Sequence, residues 1–206
     1  MRFRQDMGSP MAKGPMPKDR KTGESLAGQL LVAMPQMADP RFERSVVYLC
    51  AHSAEGALGL VINRAFTKLT FPDLLDQLDI DHRPDARTIH VLAGGPVEEG
   101  RGFVLHTDDY MRDDTLKVEP GFALTATIEI LKAMARGEGP ARSILALGYS
   151  GWGPGQLERE ITENGWLNVP ADPGLVFDQD LDTKWQRALA KLRVTPASLS
   201  GSAGRA

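Results

Sequence analysis

The segment SILALGYSGWGPGQLEREITENGWL, residues 143–167, decides the fold prediction. Its first nine residues form an almost continuous apolar run, which predicts a buried strand. The glycines that follow permit a sharp turn, and Pro154 suits the first position of a helix. Leu157 and Ile161 stand at i and i+4 on one helical face, and Asn164-Gly165 is typical of a helix stop. The segment therefore predicts a strand, a tight turn and a helix.

Strand and helix patterns alternate irregularly around this segment. Further strands are predicted at 28–35, 45–50, 56–63, 88–96, 102–107, twice within 115–125, at 166–170 and at 174–177. Helices are predicted at 70–80, 127–137 and 181–194. Thr70 and Asp73 form a capping pattern at the start of the first of these, and Gly137 follows the second. SVVYLC and GALGLVIN, separated by AHSAEG, predict a hairpin with a loop of about five or six residues. We therefore predict an α/β fold of the α+β type, a mixed β-sheet that is partly hairpin-connected and flanked by about four helices.

The chain divides into an arm, a domain and a tail. Residues 1–25 hold six Lys or Arg against three acids, with three prolines and few large aliphatic residues, which predicts a disordered basic arm. Residues 26–194 carry the apolar patterns, and they are long enough to bury a core as a single domain. Residues 195–206 are predicted to be a flexible tail. Basic arms can contact nucleic acid or lipid, but most are solvated tails.

Composition excludes several classes of protein. The formal net charge of −3 gives no electrostatic footprint for nucleic acid, so direct nucleic-acid binding is disfavoured. The single cysteine excludes an intramolecular disulfide and a cysteine-cluster zinc site. The sequence shows no secretory signal and no apolar run of the ~18 residues that a membrane span needs. We therefore expect a cytoplasmic protein with no membrane partner.

The glycine-rich turn invites three functional motifs, and none of them fits. A P-loop would need lysine where Pro154 stands. A dinucleotide-binding loop would need glycine at Gln156, and a nucleophile elbow would need glycine at Trp152. Two interpretations stay open, a purely structural turn or an anion contact at the start of the helix. In the same way, Trp152 either caps the core or forms one wall of a pocket.

Two pairs of residues carry further chemical hypotheses. Cys50 and His52 are alternate residues of a predicted strand, so they would share one face and form a proton-transfer pair or two metal ligands. The alternative is a core cysteine near the end of a strand. Asn63 and Arg64 end a buried strand, where they either contact a ligand or pair at the surface. The acidic run at 108–114 lacks the calcium-loop pattern and is predicted to be a solvated turn. No two histidines have the spacing of metal ligands, so no metal and no cofactor is predicted.

Several long blocks resemble the YqgE/AlgH family of bacterial proteins. They are LLVAMPQMADPRFERSVVYLCAHSAEGALGLVINR, LAGGPVEEGRGFVLHT and LGYSGWGPGQLEREITENGWL, and with the segments between them they span about residues 26–192. The resemblance implies a cytosolic mixed α/β fold whose biochemical activity is not established, and it supplies no catalytic residues. Part of the family carries the label of transcriptional regulator, through an association with alginate production. The acidic charge and the lack of an evident helix-turn-helix pattern give that label little support.

The sequence favours a binding or regulatory protein over an enzyme. We expect its working surface to combine three strand ends: Asn63 and Arg64; Gly94, Gly95 and Pro96; and Tyr149, Ser150, Gly151, Trp152, Gly153 and Gln156. The partner is either a small molecule or a protein, and the oligomeric state is left open. The alternative is a hydrolase or nucleotide-processing enzyme that uses the 148–156 loop as an anion site, with Cys50 or His52 for proton transfer.

Overall fold

The computed structural model describes residues 25–82 and 89–200, which form nine strands and six helices. The strands are β1 (Gln29–Ala33), β2 (Val46–Ser53), β3 (Gly56–Val61), β4 (Val91–Ala93), β5 (Val97–His106), β6 (Thr115–Glu119), β7 (Phe122–Thr125), β8 (Ser143–Trp152) and β9 (Trp166–Pro170). The helices are α1 (Phe71–Gln77), α2 (Ile128–Ala135), α3 (Gln156–Thr162), α4 (Pro173–Val176), α5 (Lys184–Lys191) and α6 (Pro196–Ser200). The predicted basic arm up to residue 24 and the end of the predicted tail, 201–206, lie outside the described residues.

The strands form one mixed sheet, which confirms the predicted fold class. Eight of them run in the order β6-β7-β5-β8-β3-β2-β1-β9, with every neighbouring pair antiparallel, and β4 lies parallel to β8. Phe122 in β7 packs against Tyr48 in β2, with 5.0 Å between ring centroids. Glu119 in β6 lies against Gly28, just before β1. The two ends of the strand order therefore approach each other, and the sheet curls.

Three apolar clusters hold the curled sheet. The concave core lies inside the curl and is closed by α4 and α5; it includes Leu30, Tyr48, Cys50, Leu60, Phe103, Phe122, Val169, Phe177, Trp185 and Leu189. On the outer surface, α1 and α2 cover the part of the sheet formed by β4, β5 and β8. The third cluster, which we call the α3 cluster, lies on the outer surface of β1, β2, β3 and β9 and contains Leu31, Val47, Leu49, Val61, Trp152, Leu157 and Trp166. Burial of this apolar surface is the main favourable term in folding.

β8 changes partners halfway along its length, and glycines permit the change. Its first half, 143–147, lies between β4 and β5, and its last residues, 150–152, pair with β3. Gly148 lies between the halves with a φ of 71°, and a Cβ there would overlap the carbonyl oxygen of Gly95. A Cβ on Gly94 would in turn overlap the carbonyl oxygen of Gly148. The two chains cross backbone against backbone, which glycine permits because it has no side chain.

The predicted signals at the start of α1 and at the ends of α2 and α3 are confirmed. The Thr70 hydroxyl accepts a hydrogen bond from the Asp73 N–H, and the Asp73 carboxylate accepts one from the Thr70 N–H. Gly137 follows α2 with a φ of 76°, and Asn164 follows α3 with a φ of 57°. These signals are predictable because a cap depends on residues within one turn of the helix.

Strand boundaries differ from the prediction in two places. β2 continues to Ser53 and β3 begins at Gly56, so the hairpin loop has two residues instead of five or six. The predicted strand at 88–96 is reduced to the three residues of β4, whereas β5 begins at Val97 instead of 102. Pairing between strands, and not the apolar pattern, sets these lengths. β2 and β3 are extended by pairing with each other, and the bounds of β4 and β5 follow their pairing with β8.

Two segments predicted without helix are helical. Residues 174–177 were expected to be extended, but 173–176 form α4 because the Asp172 carboxylate accepts a hydrogen bond from the Leu175 N–H and Pro173 occupies the first turn. Part of the predicted tail forms α6, with Leu199 packed against the concave core. Within the described ranges, no helix is both long enough and apolar enough to cross a membrane.

Lys184 closes one end of the concave core with a fully buried ammonium group. Its Nζ donates hydrogen bonds to the carbonyl oxygens of Val176, at 2.9 Å, and Asp178, at 3.0 Å. These bonds tie the end of α4 to the start of α5. Burial opposes the charged form and lowers the pKa of Lys184 from 10.5 to about 8.

We expect Gly148→Ala to destabilise the fold by about 3 kcal/mol or more, because it combines a left-handed φ with a backbone overlap. Gly121→Ala is the matched control, since Gly121 has a φ of 86° but has nothing within 4 Å of an added Cβ. It should lose only about 1–2 kcal/mol, the cost of the left-handed conformation. Denaturant unfolding measures both values, and equal losses would contradict the close crossing.

We expect the free energy of unfolding to depend on pH through Lys184. Between pH 8 and 10.5 the folded chain has lost this proton while the unfolded chain still holds it, so stability rises with pH by up to about 1.4 kcal/mol per pH unit. Burial raises the pKa values of Cys50 and Tyr48, which oppose this trend above about pH 9. The test is therefore the difference between wild type and Lys184→Met across this range, with Lys191→Met on the same helix as control. A constant difference for Lys184→Met would contradict the lowered pKa.

Candidate functional site

The three strand ends predicted to form the working surface do meet. The Gly94 N–H donates to the Leu147 carbonyl, and the Gly94 carbonyl accepts from the Val61 N–H, both at 2.8 Å. The Ala93 N–H donates to the Arg64 carbonyl at 2.9 Å. The Ser150 hydroxyl also donates to the Gly94 carbonyl, at 3.4 Å. The contact is made mainly by backbone groups, so the convergence itself is a structural junction.

The side chains of Asn63 and Arg64 make hydrogen bonds to backbone groups beside this junction. Asn63 Oδ1 accepts from the Val46 N–H at 2.8 Å, and its Nδ2 donates to the Arg44 carbonyl at 2.9 Å. Arg64 Nη2 donates to the Glu43 carbonyl at 2.7 Å. Both side chains therefore hold the segment that connects β1 to β2. Neither of the two predicted roles, a ligand contact or a surface ion pair, describes the bonds that they make.

Trp152 and Gln156 belong to a hydrogen-bonded group centred on Glu160. One carboxylate oxygen, Oε2, accepts from the indole N–H groups of Trp152 and Trp166, each at 2.8 Å. The other oxygen, Oε1, accepts from Gln156 Nε2 at 2.8 Å. The ring of Phe42 packs against both indoles, with its centroid 6.5 Å from that of Trp152 and 5.5 Å from that of Trp166. Trp152 thus caps the α3 cluster, which answers the question that the sequence left open.

The turn before α3 uses its own groups for local bonds. α3 begins at Gln156 instead of Pro154, because Gly155 takes the N-cap position in the left-handed conformation. The Gly153 N–H donates to Gln156 Oε1 at 3.0 Å. The carboxylate of Glu158 lies in the first turn, and its own backbone N–H and then His52 lower its pKa. A negative charge at this position competes with an external anion for the same helix terminus.

Cys50 and His52 do not form the predicted pair. A β-bulge between Leu49 and Ala51 reverses the alternation of side chains, so Cys50 lies in the concave core and His52 lies on the opposite face, against α3. The Cys50 thiol is buried, and burial raises its pKa. The expectation that the two residues share one face was wrong because a bulge adds one residue to the strand.

His52 is held on both sides of its ring. Its Nδ1 accepts a hydrogen bond from the Leu26 N–H at 3.0 Å, so its Nε2 carries the proton and donates to Glu158 Oε1 at 2.9 Å. His52 therefore lies close to the start of α3, as the enzyme alternative requires. Both of its nitrogens are occupied by these structural bonds.

The acidic run 108–114 is a largely exposed turn, as predicted, and two of its carboxylates also make structural hydrogen bonds. Asp108 accepts from the Gly121 N–H at 3.0 Å, and this bond is the main reason for its lowered pKa. Asp109 accepts from the Thr107 hydroxyl and from the Ala141 N–H. Asp108 thereby holds the turn between β6 and β7, and Asp109 holds the segment just before β8. In the part of the chain that the structure describes, no three His, Cys, Asp or Glu side chains are grouped to hold a metal ion.

A surface groove of about 570 Å³ lies beside this run. It is lined by residues 110–114 and by Glu129, Ala133, Arg136 and Glu138. None of the residues that the sequence nominates for function lines it. Its charged side chains take part in two ion pairs. Arg136 pairs with Glu138 within the groove, and Glu129 pairs with Lys132, which does not line it.

Apolar side chains are exposed at the open end of the concave face, which we call the Tyr149 face. It consists of Leu58, Val97, Arg101, Tyr149 and Gly151, and the buried ring of Phe103 packs against Tyr149 and Arg101. Val97 is opposite Tyr149 and Leu58 is opposite Gly151, so the strand register puts all four on one side of the sheet. Tyr149 packs edge-on against Phe103 at 5.8 Å, and the Arg101 guanidinium covers the Phe103 ring at 5.1 Å. Sequence analysis found Tyr149 and Gly151 but missed the others, because only tertiary pairing brings them together.

Comparison with known proteins gives a consistent match. A family model described as AlgH-like matches residues 30–197. A UPF0301 protein of Beijerinckia indica subsp. indica is 56% identical over 195 residues, 91% of this chain and 95% of the relative. One of Methylobacterium sp. is 58% identical over 189 residues, 88% of this chain and 90% of the relative.

Two solved structures are similar to this one. The solution structure of the AlgH protein from Pseudomonas aeruginosa has a TM-score of 0.72 at 41% identity, over 92% of this chain and 100% of that chain. A crystal structure of a protein from Corynebacterium diphtheriae has a TM-score of 0.68 at 19% identity, over 88% of this chain and 94% of that chain, which shows the fold alone.

We expect Glu160→Gln to destabilise the protein by about 1–3 kcal/mol, because the neutral amide has one oxygen where the carboxylate had two. With that oxygen towards the indoles, the new NH2 group faces Gln156 Nε2; with it towards Gln156, both indole N–H groups lose their acceptor. Near-ultraviolet circular dichroism of the native state should change as well, since the two indoles lose their common anchor. Glu163→Gln, an exposed carboxylate just beyond the same helix, is the control and should change neither property. Equal stability of the two variants would show that the Glu160 bonds do not hold the α3 cluster.

Proposed function

The chain belongs to the AlgH-like family, and we propose that it is a cytoplasmic binding protein that recognises a partner protein through the Tyr149 face. The partner segment that fits this face is apolar, with basic neighbours. One observation carries the proposal: Val97, Tyr149 and Leu58 stand together on an open sheet surface with acidic residues beside them.

The exposed apolar area supports recognition. Val97 is 36% exposed, one of two large hydrophobic side chains exposed to that extent among the residues described, and Tyr149 and Leu58 are half-buried beside it. Fully burying a valine-sized side chain is worth about 1.5–3 kcal/mol, so covering the exposed third of Val97 is worth about 0.5–1 kcal/mol. Tyrosine is enriched at protein interfaces because it offers a large rigid ring with one polar atom.

The shape of the surface favours a protein over a small molecule. The strand register passes from Val97–Tyr149 to Gly102–Leu147, so four residues of β5 stand opposite Gly148 alone. This excursion exposes residues 97–100. Small-molecule sites are concave and bury most of the ligand, whereas a broad, exposed sheet surface suits another protein.

Acidic residues at the edge of the Tyr149 face favour a partner of positive charge. Glu98 and Glu99 are both exposed next to Val97. Glu98 is paired with Arg101 at 3.1 Å, which leaves Glu99 to act on the partner. Acidic rims mainly raise the rate of association and exclude partners of the same charge. A basic neighbourhood in the partner segment is therefore expected.

The enzyme alternative receives less support from the geometry. It needs backbone N–H groups of the 148–156 loop for an anion, but the Gly153 N–H is bonded to Gln156, and Glu158 lies in the first turn of the helix. It also needs Cys50 or His52 for proton transfer. The first is buried with a raised pKa, and the second donates and accepts structural hydrogen bonds.

A photo-crosslinking experiment tests the proposal. Benzoylphenylalanine replaces Val97 in the full chain, within bacterial cells that naturally contain the protein, and Met111, which is 42% exposed in another part of the molecule, is the matched control position. We expect a discrete protein adduct from position 97 and not from position 111. In the same chain, Tyr149→Ala should reduce that adduct about tenfold or more, equivalent to about 1.4 kcal/mol.

Two results would contradict the proposal. One is the same set of adducts from both positions, or none from position 97. The other is an unchanged adduct in the Tyr149→Ala chain, provided that its free energy of unfolding shows it to be folded. Val97→Asp in a chain labelled at Gly100, which is exposed and has nothing within 4 Å of an added Cβ, is a second variant that leaves core packing intact, and it should reduce the adduct as well.

A further inference from the structure

The chain enters the described fold at the end of β2, on the outer surface, where Leu26 packs in the α3 cluster. This is the same end of the sheet as the Tyr149 face, on the opposite side of β2, β3 and β8. The Ser25 hydroxyl donates to the His52 carbonyl at 3.1 Å, and the Leu26 N–H donates to His52 Nδ1 at 3.0 Å. The Gly28 N–H then donates to the Leu49 carbonyl at 2.8 Å, where β1 begins. These bonds fix the start of the described chain at the end of β2.

The distance from that point to the face is short. His52 pairs with Ala57 in β3, and Ala57 pairs with Trp152 in β8, one residue beyond Gly151. Neighbouring strands are about 4.8 Å apart, so β8 lies roughly 10 Å from β2. Twenty-four residues span up to about 80 Å when extended. The segment 1–24 is therefore long enough to reach every part of the face.

The charges at this end of the sheet are mainly negative. The exposed carboxylates there are Glu55, Glu98 and Glu99, and the neighbouring cation is Arg101. Residues 1–24 hold six Lys or Arg and three acids, a net charge of +3. The two sets have opposite sign. Lys18, Arg20 and Lys21 also lie within a few residues of the anchored Ser25.

The same segment carries the apolar side chains that the face needs. Met7, Met11 and Met16 alternate with basic residues and prolines. Methionine side chains are flexible and polarizable, and they pack favourably at the edges of aromatic rings. Tyr149 offers such a ring edge beside Val97 and Leu58. The segment thus has the chemistry required above of the partner, an apolar sequence with basic neighbours.

We infer that residues 1–24 of this chain bind its own Tyr149 face and compete with the partner protein for it. The competition with a partner protein rests on the proposed function. The occupancy of the face by the segment is independent of any partner, and the experiment below measures that occupancy alone.

The experiment uses a nitroxide spin label on Ser9→Cys in the full chain. The natural thiol, Cys50, is buried with a raised pKa, so the added cysteine takes the label. We expect the label to broaden the amide NMR signals of Val97, Tyr149 and Gly151 relative to the reduced, diamagnetic sample. Signals of Met111 and Arg112 are the internal control, because they follow His106, which lies about 20 Å from Val97 along the six residues of β8 between their partners Ser143 and Tyr149.

A charge reversal with a matched control separates specific binding from random contact. Glu99→Lys should remove most of the broadening, and Asp113→Lys, an exposed reversal beyond the other end of β5, should leave it unchanged. Added salt should weaken the broadening as well. Uniform broadening of the control signals, or none at the face, overturns the inference.

A mixed sample tests whether the segment acts within one molecule. It combines isotope-labelled chain without a spin label and spin-labelled chain without isotope. Broadening of the face in this sample would overturn the intramolecular inference and indicate a second copy as the occupant. If the face is broadened only within one chain but position 97 forms no adduct in cells, the proposed function fails and the intramolecular contact stands.

Discussion

The close crossing of the Gly94–Gly95 backbone over the Gly148–Tyr149 backbone is the constraint on which the rest of the structure depends. It lets β8 leave β4 and β5 and continue beside β3, so a single strand connects both parts of the curled sheet. Without that passage, the concave core would not be continuous from β7 to β9. The same crossing brings the three predicted strand ends together, which explains why glycines occur where a functional loop was also plausible.

Sequence analysis succeeded where the cause is local or periodic. The strand 143–151 and the caps of α1, α2 and α3 follow from spacing within a few residues. It failed where one inserted residue or one distant partner decides the outcome. The bulge at Cys50 separates that thiol from His52, and the bonds of Trp152 depend on Glu160 and on Trp166 in β9. Such features arise from pairing between strands, which the pattern of a single strand does not contain.

The candidate site shows the same division between local pattern and tertiary pairing. Asn63 and Arg64 were nominated because strand ends often hold ligands, yet their side chains hold the connection from β1 to β2. Leu58 and Val97 were not nominated, since an isolated leucine or valine in an apolar strand is expected in the core. Their exposure follows from the curl of the sheet and from the excursion of β5 after Val97.

Alternation along the end of β8 separates the residues of the buried α3 cluster from those of the proposed recognition surface. Ser150 and Trp152 point to the outer surface, where Trp152 joins the α3 cluster, while Tyr149 and Gly151 point to the concave side. Successive residues of a strand face opposite sides of a sheet, so substitutions at 149 and 151 act on the exposed surface while those at 150 and 152 act on the buried cluster. Residues of the Tyr149 face can therefore vary without loss of the aromatic–carboxylate group that fixes α3. The glycine-rich segment is best understood as a structural crossing, with the recognition surface that we propose on one side only.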